Sequence, residues 1–229
     1  SKYQNQIIKL NLEEKTVWVQ PGIVLDQLND YLKKYNLWYP IDVSTSSRAT
    51  IGGMTGNNSC GARSLYYGNM VHNVLAIEAI LDDGSIHTFD KINENYLAKT
   101  TNKNRYNQII EKLLTLYKEH EKEINLSFPK LLRRVGGYNI DFVNPKGFNT
   151  SNILVGSEGT LSLFNKIKLK LWNLPKQKIL GVCFFENFRQ SMEATKEIVK
   201  LGPTCVELMD HNLIGLAKQI PIYAEGIAK

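Results

Sequence analysis

The stretch Thr50-Ile51-Gly52-Gly53-Met54-Thr55-Gly56-Asn57-Asn58-Ser59-Cys60-Gly61, running on to Tyr67-Gly68-Asn69, constrains this chain more than any other. Gly52, Gly53, Gly56, Gly61 and Gly68 in it are five of the sixteen glycines. Without a Cβ, glycine reaches φ > 0 and lets another body approach the main chain. Between the glycines, Thr50, Thr55, Asn57, Asn58 and Ser59 offer short donors and acceptors. Large apolar side chains are nearly absent until Leu65. Such a segment builds no core of its own, so a long loop facing a flat or anionic ligand is expected; long loops in compact domains tend to be functional or disordered.

The flanks are well patterned. Ile7–Leu10 and Thr16–Gln20 around a polar turn predict a β-hairpin closed by Pro21-Gly22. Val24, Leu25, Leu28, Tyr31, Leu32 and Tyr35 recur at helical spacing, with Asn36 suited to the exit. Beyond the glycine stretch, Asn73–Leu81 predicts a buried strand. Asp82-Asp83-Gly84-Ser85 predicts a type I′ turn into Ile86–Phe89. Residues 90–104 are expected to be irregular. Tyr106 to Tyr117 mark a long amphipathic helix that runs into a solvated charged face, 118–123. Two further glycine-bearing loops are Arg133–Asp141 and Gly156–Thr160. After them Leu161, Leu163, Ile167, Leu169 and Leu171 alternate with Ser162, Lys166, Lys168 and Lys170, the pattern of a half-buried antiparallel strand. A boundary is expected at 172–175. Beyond it Ile179–Phe185 and Thr204–Met209 read as strands. Helices capped by Asn187 (in a box with Gln190) and Asp210 follow them. This β-α-β-α unit lacks the strands to close its sheet, and with Ser1 as first residue the chain is expected to be a piece of a longer protein.

Composition narrows the function. The net charge of +6 is dispersed, with no basic run interleaved with aromatics, so nucleic acid is not an expected partner. No apolar run approaches the ~20 residues of a membrane span; peripheral membrane association stays compatible with the charge. Cys60, Cys183 and Cys205 are too far apart for a disulfide framework or a metal knuckle, which suits the cytoplasm. His72, His87, His120 and His211 form no ligand spacing and read as structural, so no metal is expected.

Backbone N–H groups of glycine loops can bind pyrophosphate oxygens or the edge of a flat ring. No G-x-G-x-x-G opens a helix and no GxxxxGK[ST] is present, so neither a Rossmann nor a P-loop reading holds. The glycines pass between strands, which needs another nucleotide-binding architecture. At these residues the chain resembles a known family. Pro40-x-Asp42, Ala49 to Met54, Asn57-x-Ser59-Cys60-Gly61 and Tyr67-Gly68 are similar to the flavin domain of FAD-linked oxidases, the vanillyl-alcohol-oxidase-type (PCMH-type) fold. Ile153 to Leu161 and Gly137-Tyr138-Asn139 resemble the D-2-hydroxyacid dehydrogenase branch. That branch includes D-lactate, glycolate and D-2-hydroxyglutarate enzymes. Cys205 to Asp210 looks like the start of its cap domain.

The resemblance implies an α+β fold: an antiparallel-rich sheet with flanking helices over residues 1–174, then the start of a ferredoxin-like β-α-β-α cap domain at 175–229. It implies FAD as cofactor and a small 2-hydroxy acid as substrate, oxidised to the 2-oxo acid; the electron acceptor stays unassigned. Pro40, Thr50, Ile51, Gly52, Gly53, Asn57, Ser59, Gly61, Tyr67, Gly68, Glu158 and Gly159 would lie along the cofactor. Arg134 and Tyr138 would approach a substrate carboxylate, while the catalytic base is not assignable within the chain. The sequence departs from the pattern at Val43, where the family has proline, and at Ser162-Leu163-Phe164. The first FAD subdomain is also absent from it. The chain alone is therefore expected to be inactive. Alternatives are another PCMH-fold flavoenzyme, such as an alcohol oxidase or a MurB-like reductase, and a non-catalytic binding module.

Overall fold

A computed structural model describes residues 3–96 and 104–227. The part of the expected irregular segment at 97–103 lies outside the described residues. The chain divides into two units, Ser1–Lys176 and Gln177–Lys229.

The first unit is built on a five-stranded antiparallel sheet. Its strands are β1 (Ile7–Asn11), β2 (Thr16–Val19), β4 (Val74–Ile80), β5 (Ile86–Phe89) and β8 (Leu163–Lys170), in the order β1-β2-β8-β4-β5. Alternate residues of the inner strands, Val17 and Val19, Ile77 and Ala79, Ile167 and Leu169, are fully buried. They share one apolar cluster with Leu25, Leu28 and Leu32 of helix α1 (Leu25–Lys33), whose other faces carry Asp26, Asn29 and Lys33. A helix whose apolar residues repeat at i, i+3 and i+7 buries one stripe against a sheet. Asn36 ends the turn after α1 with φ 55°, the left-handed exit expected of it. Strand β3 (Leu37–Trp38) then pairs with β9 (Trp172–Asn173).

The structure corrects several local expectations. The turn at 81–85 is not type I′: Gly84 N–H donates to Leu81 C=O, Leu81 N–H to Ser85 C=O, and only Gly84 has positive φ. That is a type I turn closed by a glycine bulge, the three-residue hairpin alternative. Leu161 and Leu163, expected in the core, are exposed at 39% and 64%. Between β4 and β8 the register slips, Glu78 facing Lys166 but Ala79 facing Phe164. Asn165 is thus an extra residue, and a bulge of this kind reverses the in–out phase. Phe164 goes inside instead. The segment after Phe89 is not wholly irregular, because β6 (Lys91–Asn93) pairs with β7 (Gly147–Asn149). Helix α5 (Arg105–Ser127) follows, capped by Asn104, whose side chain accepts the Asn107 N–H.

In the second unit, helix α7 (Phe188–Lys200) starts where expected, the Asn187 side chain accepting the Gln190 N–H at 3.0 Å. Gln190 reaches back to the Glu186 N–H rather than that of Asn187, so the box is displaced by one residue. Asp210 caps α8 (His211–Lys218), which packs on α9 (Pro221–Ile227). The segments 179–185 and 204–209, read as strands, join no ladder among the described residues, and Ile179, Leu180 and Phe184 stand exposed. A ladder needs a neighbouring strand, and none is available to either segment here.

Candidate functional site

The glycine-rich stretch is not an open loop. Thr50 leaves an extended segment, its Oγ1 accepts the Gly53 N–H, and helix α2 (Ile51–Gly56) begins. Two short helices follow, α3 (Ser64–Tyr67) and α4 (Met70–Asn73). The threonine before the glycine pair is an N-cap, a signal that the glycine content masked. Within α2 the residues at i, i+3 and i+4, Ile51, Met54 and Thr55, are buried. One turn has two sides, so Gly53 and Asn57, four residues apart, face outward and are exposed. They floor a groove of about 310 Å³ lined by Val43, Thr45, Ala49, Thr50, Gly53, Met54, Asn57 and Ser59. None of these side chains carries a charge.

Most amides of the stretch are already engaged. Ile51 N–H donates to Ile23 C=O, Gly52 N–H to Pro21 C=O, Asn57 N–H to Gly53 C=O and Ser59 N–H to Met54 C=O. Gly61 N–H donates to Ser64 Oγ. What faces the groove is the bare Cα of Gly53 and the hydroxyl and carboxamide groups around it. Two of the glycines are close-approach positions rather than groove positions. A Cβ on Gly52 would stand 2.6 Å from Pro21 Cβ, and one on Gly61 would stand 2.1 Å from the Asp42 carbonyl oxygen.

The third glycine loop docks on the C-terminal end of α2. Gly156 N–H donates to Thr55 C=O and Glu158 N–H to Gly56 C=O, both at 2.9 Å. Glu158 (φ 52°) and Gly159 (φ 76°) turn the chain outward into solvent. The second loop is tied in by buried asparagines. Asn58, itself left-handed at φ 52°, accepts the Val71 N–H and donates to Arg134 C=O. Asn69 also donates to Arg134 C=O, and Asn139 donates to the carbonyls of Asn152, in the short helix α6 (Ser151–Leu154), and of Val155. Arg134 Nη2 donates to Asn139 Oδ1 and forms an ion pair with Asp141. A buried carboxamide without partners would cost several kcal/mol (about 2–7), so this cluster fixes the mutual position of all three loops.

The expected cofactor residues therefore separate into sets. Thr50, Gly53, Asn57 and Ser59 share the groove. Glu158 and Gly159 stand on the loop docked at the C-terminal end of α2. Pro40 and Ile51 are buried, and Gly52 and Gly61 serve packing. Tyr67 and Gly68 line a different hollow together with Arg134. Tyr138 does not line that hollow; its hydroxyl is bonded to Thr160 Oγ1 at 2.8 Å. Val43, Thr45, Ala49 and Met54 line the groove without having been expected along the cofactor; Ala49 and Met54 belong to the motif, Val43 is a position that departs from it, and Thr45 stood out only as part of the polar run before the glycines. Asn58, Asn69 and Asn139 carried no periodic signal at all.

Titrating groups near the site are few. Burial, and then the Arg134 cation, hold His72 below the usual imidazole range. Burial pushes the Tyr39 hydroxyl far up, and it donates to Met70 Sδ instead of ionising. The three cysteines are unpaired. No helix among the described residues is long and apolar enough to cross a membrane.

Residues 1–90 match the family model described as an FAD binding domain. The chain is 33% identical over 226 residues to a D-2-hydroxyglutarate dehydrogenase of Haemophilus influenzae, covering 96% of this chain and 22% of that protein. Its counterpart from Escherichia coli is also 33% identical, with the same coverage. A probable mitochondrial D-lactate dehydrogenase of Danio rerio is 27% identical over 91% of the chain and 33% of that protein. The chain thus spans about a fifth to a third of the length of these relatives. Among solved structures, an alkyldihydroxyacetonephosphate synthase superposes with a TM-score of 0.56 at 18% identity, over 90% of this chain and 28% of that one. That likeness is one of fold, and it agrees with the α+β architecture of antiparallel sheet and flanking helices. The resemblance to FAD-linked oxidases of the D-2-hydroxyacid dehydrogenase branch, read from the motifs, holds.

Proposed function

We propose that this chain is one part of an FAD-dependent oxidoreductase that converts a D-2-hydroxy acid, such as D-2-hydroxyglutarate or D-lactate, to the 2-oxo acid. The observation that carries this reading is the uncharged groove over Gly53, joined to the third glycine loop by two backbone hydrogen bonds at the C-terminal end of α2. The groove suits one stretch of a dinucleotide's polar chain. Its floor is bare main chain, and a Cβ at Gly53 would meet only Thr50 Oγ1, at 3.2 Å. Its rim offers Thr45, Thr50, Asn57 and Ser59, and no carboxylate lines it to repel phosphate. In this reading Thr50, Asn57 and Ser59 bond the cofactor's polar chain. Gly53 lets it lie flat, and Gly52 and Gly61 keep the walls in place. Glu158, Gly159, Pro40, Ile51, Tyr67 and Gly68 act behind or beside this contact. The chemistry FAD supplies when bound is the acceptance of two electrons from the carbinol carbon.

Arg134 keeps a supporting part, because its guanidinium is committed to Asn139 and Asp141. The proposed unit boundary is 174/175, next to the contact break at Lys176. A reducing compartment such as the cytoplasm suits three unpaired cysteines. The test is direct: purify the full-length protein, look for a visible flavin spectrum, and add D-2-hydroxyglutarate or D-lactate without oxygen. Bleaching supports the reading; a colourless protein that takes up no added FAD overturns it and favours a non-catalytic binding module.

A further inference from the structure

A second hollow, of about 500 Å³, lies between α3–α4 and the 129–142 segment, and shares no lining residue with the groove. Its side chains combine a cationic set with an aromatic wall. The cations Lys130 and Arg134 line it with neutral His72 and with Tyr66 and Phe142, and Asp141 is the single carboxylate among the lining residues. That carboxylate is already taken by Arg134 Nη2, whereas Arg134 Nη1 is buried without a hydrogen-bond partner. With Asp141 paired to Arg134, the excess positive charge of the lining is that of the Lys130 ammonium.

His72 is held there in one tautomer. Its Nδ1 lies 3.0 Å from the Asn69 N–H, which can only donate. Nδ1 must then be bare, and the hydrogen of the neutral ring sits on Nε2. The Nδ1 edge is covered as well. Gly68, at φ 76°, lies so close that a Cβ on it would be 2.8 Å from Nδ1. Phe142 meets the ring at 5.9 Å between centroids. His72 is partly desolvated yet keeps solvent-exposed surface and lines the hollow; with Nδ1 engaged, the edge left to present is the one bearing Nε2–H. A fixed N–H donor, a lysine ammonium and an aromatic wall together make a receptor for a carboxylate on an apolar stem.

We propose that this hollow is a binding site for a small carboxylate anion, with His72 Nε2–H and the Lys130 ammonium as its donors. The site does not depend on bound flavin, so its test is independent of the oxidoreductase reading. In the full-length protein labelled with carbon-13 and nitrogen-15, the His72 ring signals would be followed at neutral pH while glutarate is added, with chloride at matched ionic strength as control. A saturable shift of His72 Nε2, with Nδ1 remaining unprotonated, is expected. His72→Leu should weaken binding by at least about tenfold, as loss of a charge-assisted hydrogen bond does. His72→Gln should restore most of it, because glutamine can accept from Asn69 and still donate outward. Lys130→Ala should weaken it several-fold. An equal response to chloride would mean an adventitious ion only and would overturn the site, as would the absence of saturation or an unchanged affinity in His72→Leu. Should His72→Leu lose its dispersed amide spectrum, Lys130→Ala decides, and unaltered glutarate affinity there rejects the proposal.

Discussion

At the scale of single residues, four glycines that look alike in the sequence have different reasons for being there. Gly52 and Gly61 touch backbone that cannot retreat. Gly52→Ala should therefore lose about 1–3 kcal/mol in urea unfolding, the usual cost of overpacking. Gly53→Ala meets only a hydroxyl at 3.2 Å and Gly56→Ala meets nothing within 4 Å. Both should unfold within about 1 kcal/mol of the parent, alanine even being the better helix former. If the groove takes FAD, Gly53→Ala should nonetheless lower flavin retention, read as the ratio of flavin to protein absorbance, while Gly56→Ala should not. Asn58 is a further test, since it combines φ 52° with buried bonds to Val71 and Arg134. Asn58→Ala should cost roughly 2–4 kcal/mol, the sum of a left-handed backbone penalty and an unpaired Val71 amide.

At the scale of elements, α4 owes its start to a histidine. The Asn69 N–H that opens it is capped by neutral His72, and burial with Arg134 lowers the proton affinity of that ring from its ordinary value of 6.5. The unfolded chain then binds the proton more readily than the folded one. Stability from this group is complete above the unfolded value and falls as pH drops toward the folded one. Thermal unfolding followed from pH 7.5 to 5 should show this loss, and His72→Gln should flatten it in that window. Glu78 acts lower down the scale. Its hydrogen bond to Lys166 depresses its proton affinity, so its contribution disappears only on further acidification.

The elements also show what sequence could disclose. Both hairpins, α1, α5, α7 and α8 were legible because each carries a period of two or 3.6, or an Asn or Asp cap. Helix α2 was not, since three glycines in six residues speak against a helix. Burial of Ile51, Met54 and Thr55 overrides that weak preference. The phase reversal at Asn165 was hidden because a bulge leaves the alternating pattern intact on either side of it. The groove was legible in part, through Thr50, Gly53, Asn57 and Ser59. The separation of Tyr67 and Gly68 into another hollow depends on tertiary placement that spacing does not encode.

At the scale of the molecule, the first unit buries a continuous cluster, while the second presents helices beside unpaired extended segments. Each hydrogen bond nets only about 0.5–1.5 kcal/mol, so a partial cradle holds a dinucleotide weakly. FAD added to the isolated 229-residue chain is expected to bind far less tightly than to a full-length relative, a difference that quenching of flavin fluorescence would measure.

Strand β8 pairs with β2 on one side and β4 on the other, although it is the last of the five to be made. During synthesis the hairpins β1–β2 and β4–β5 emerge first, each with the edge that β8 will later cover still open to any other chain. Contacts so distant along the sequence are slow to form, and open edges attract wrong partners. Until residue 170 leaves the ribosome, the nascent polypeptide is exposed to aggregation, and a lesion that delays that strand would be felt in yield before it is felt in the properties of the finished molecule.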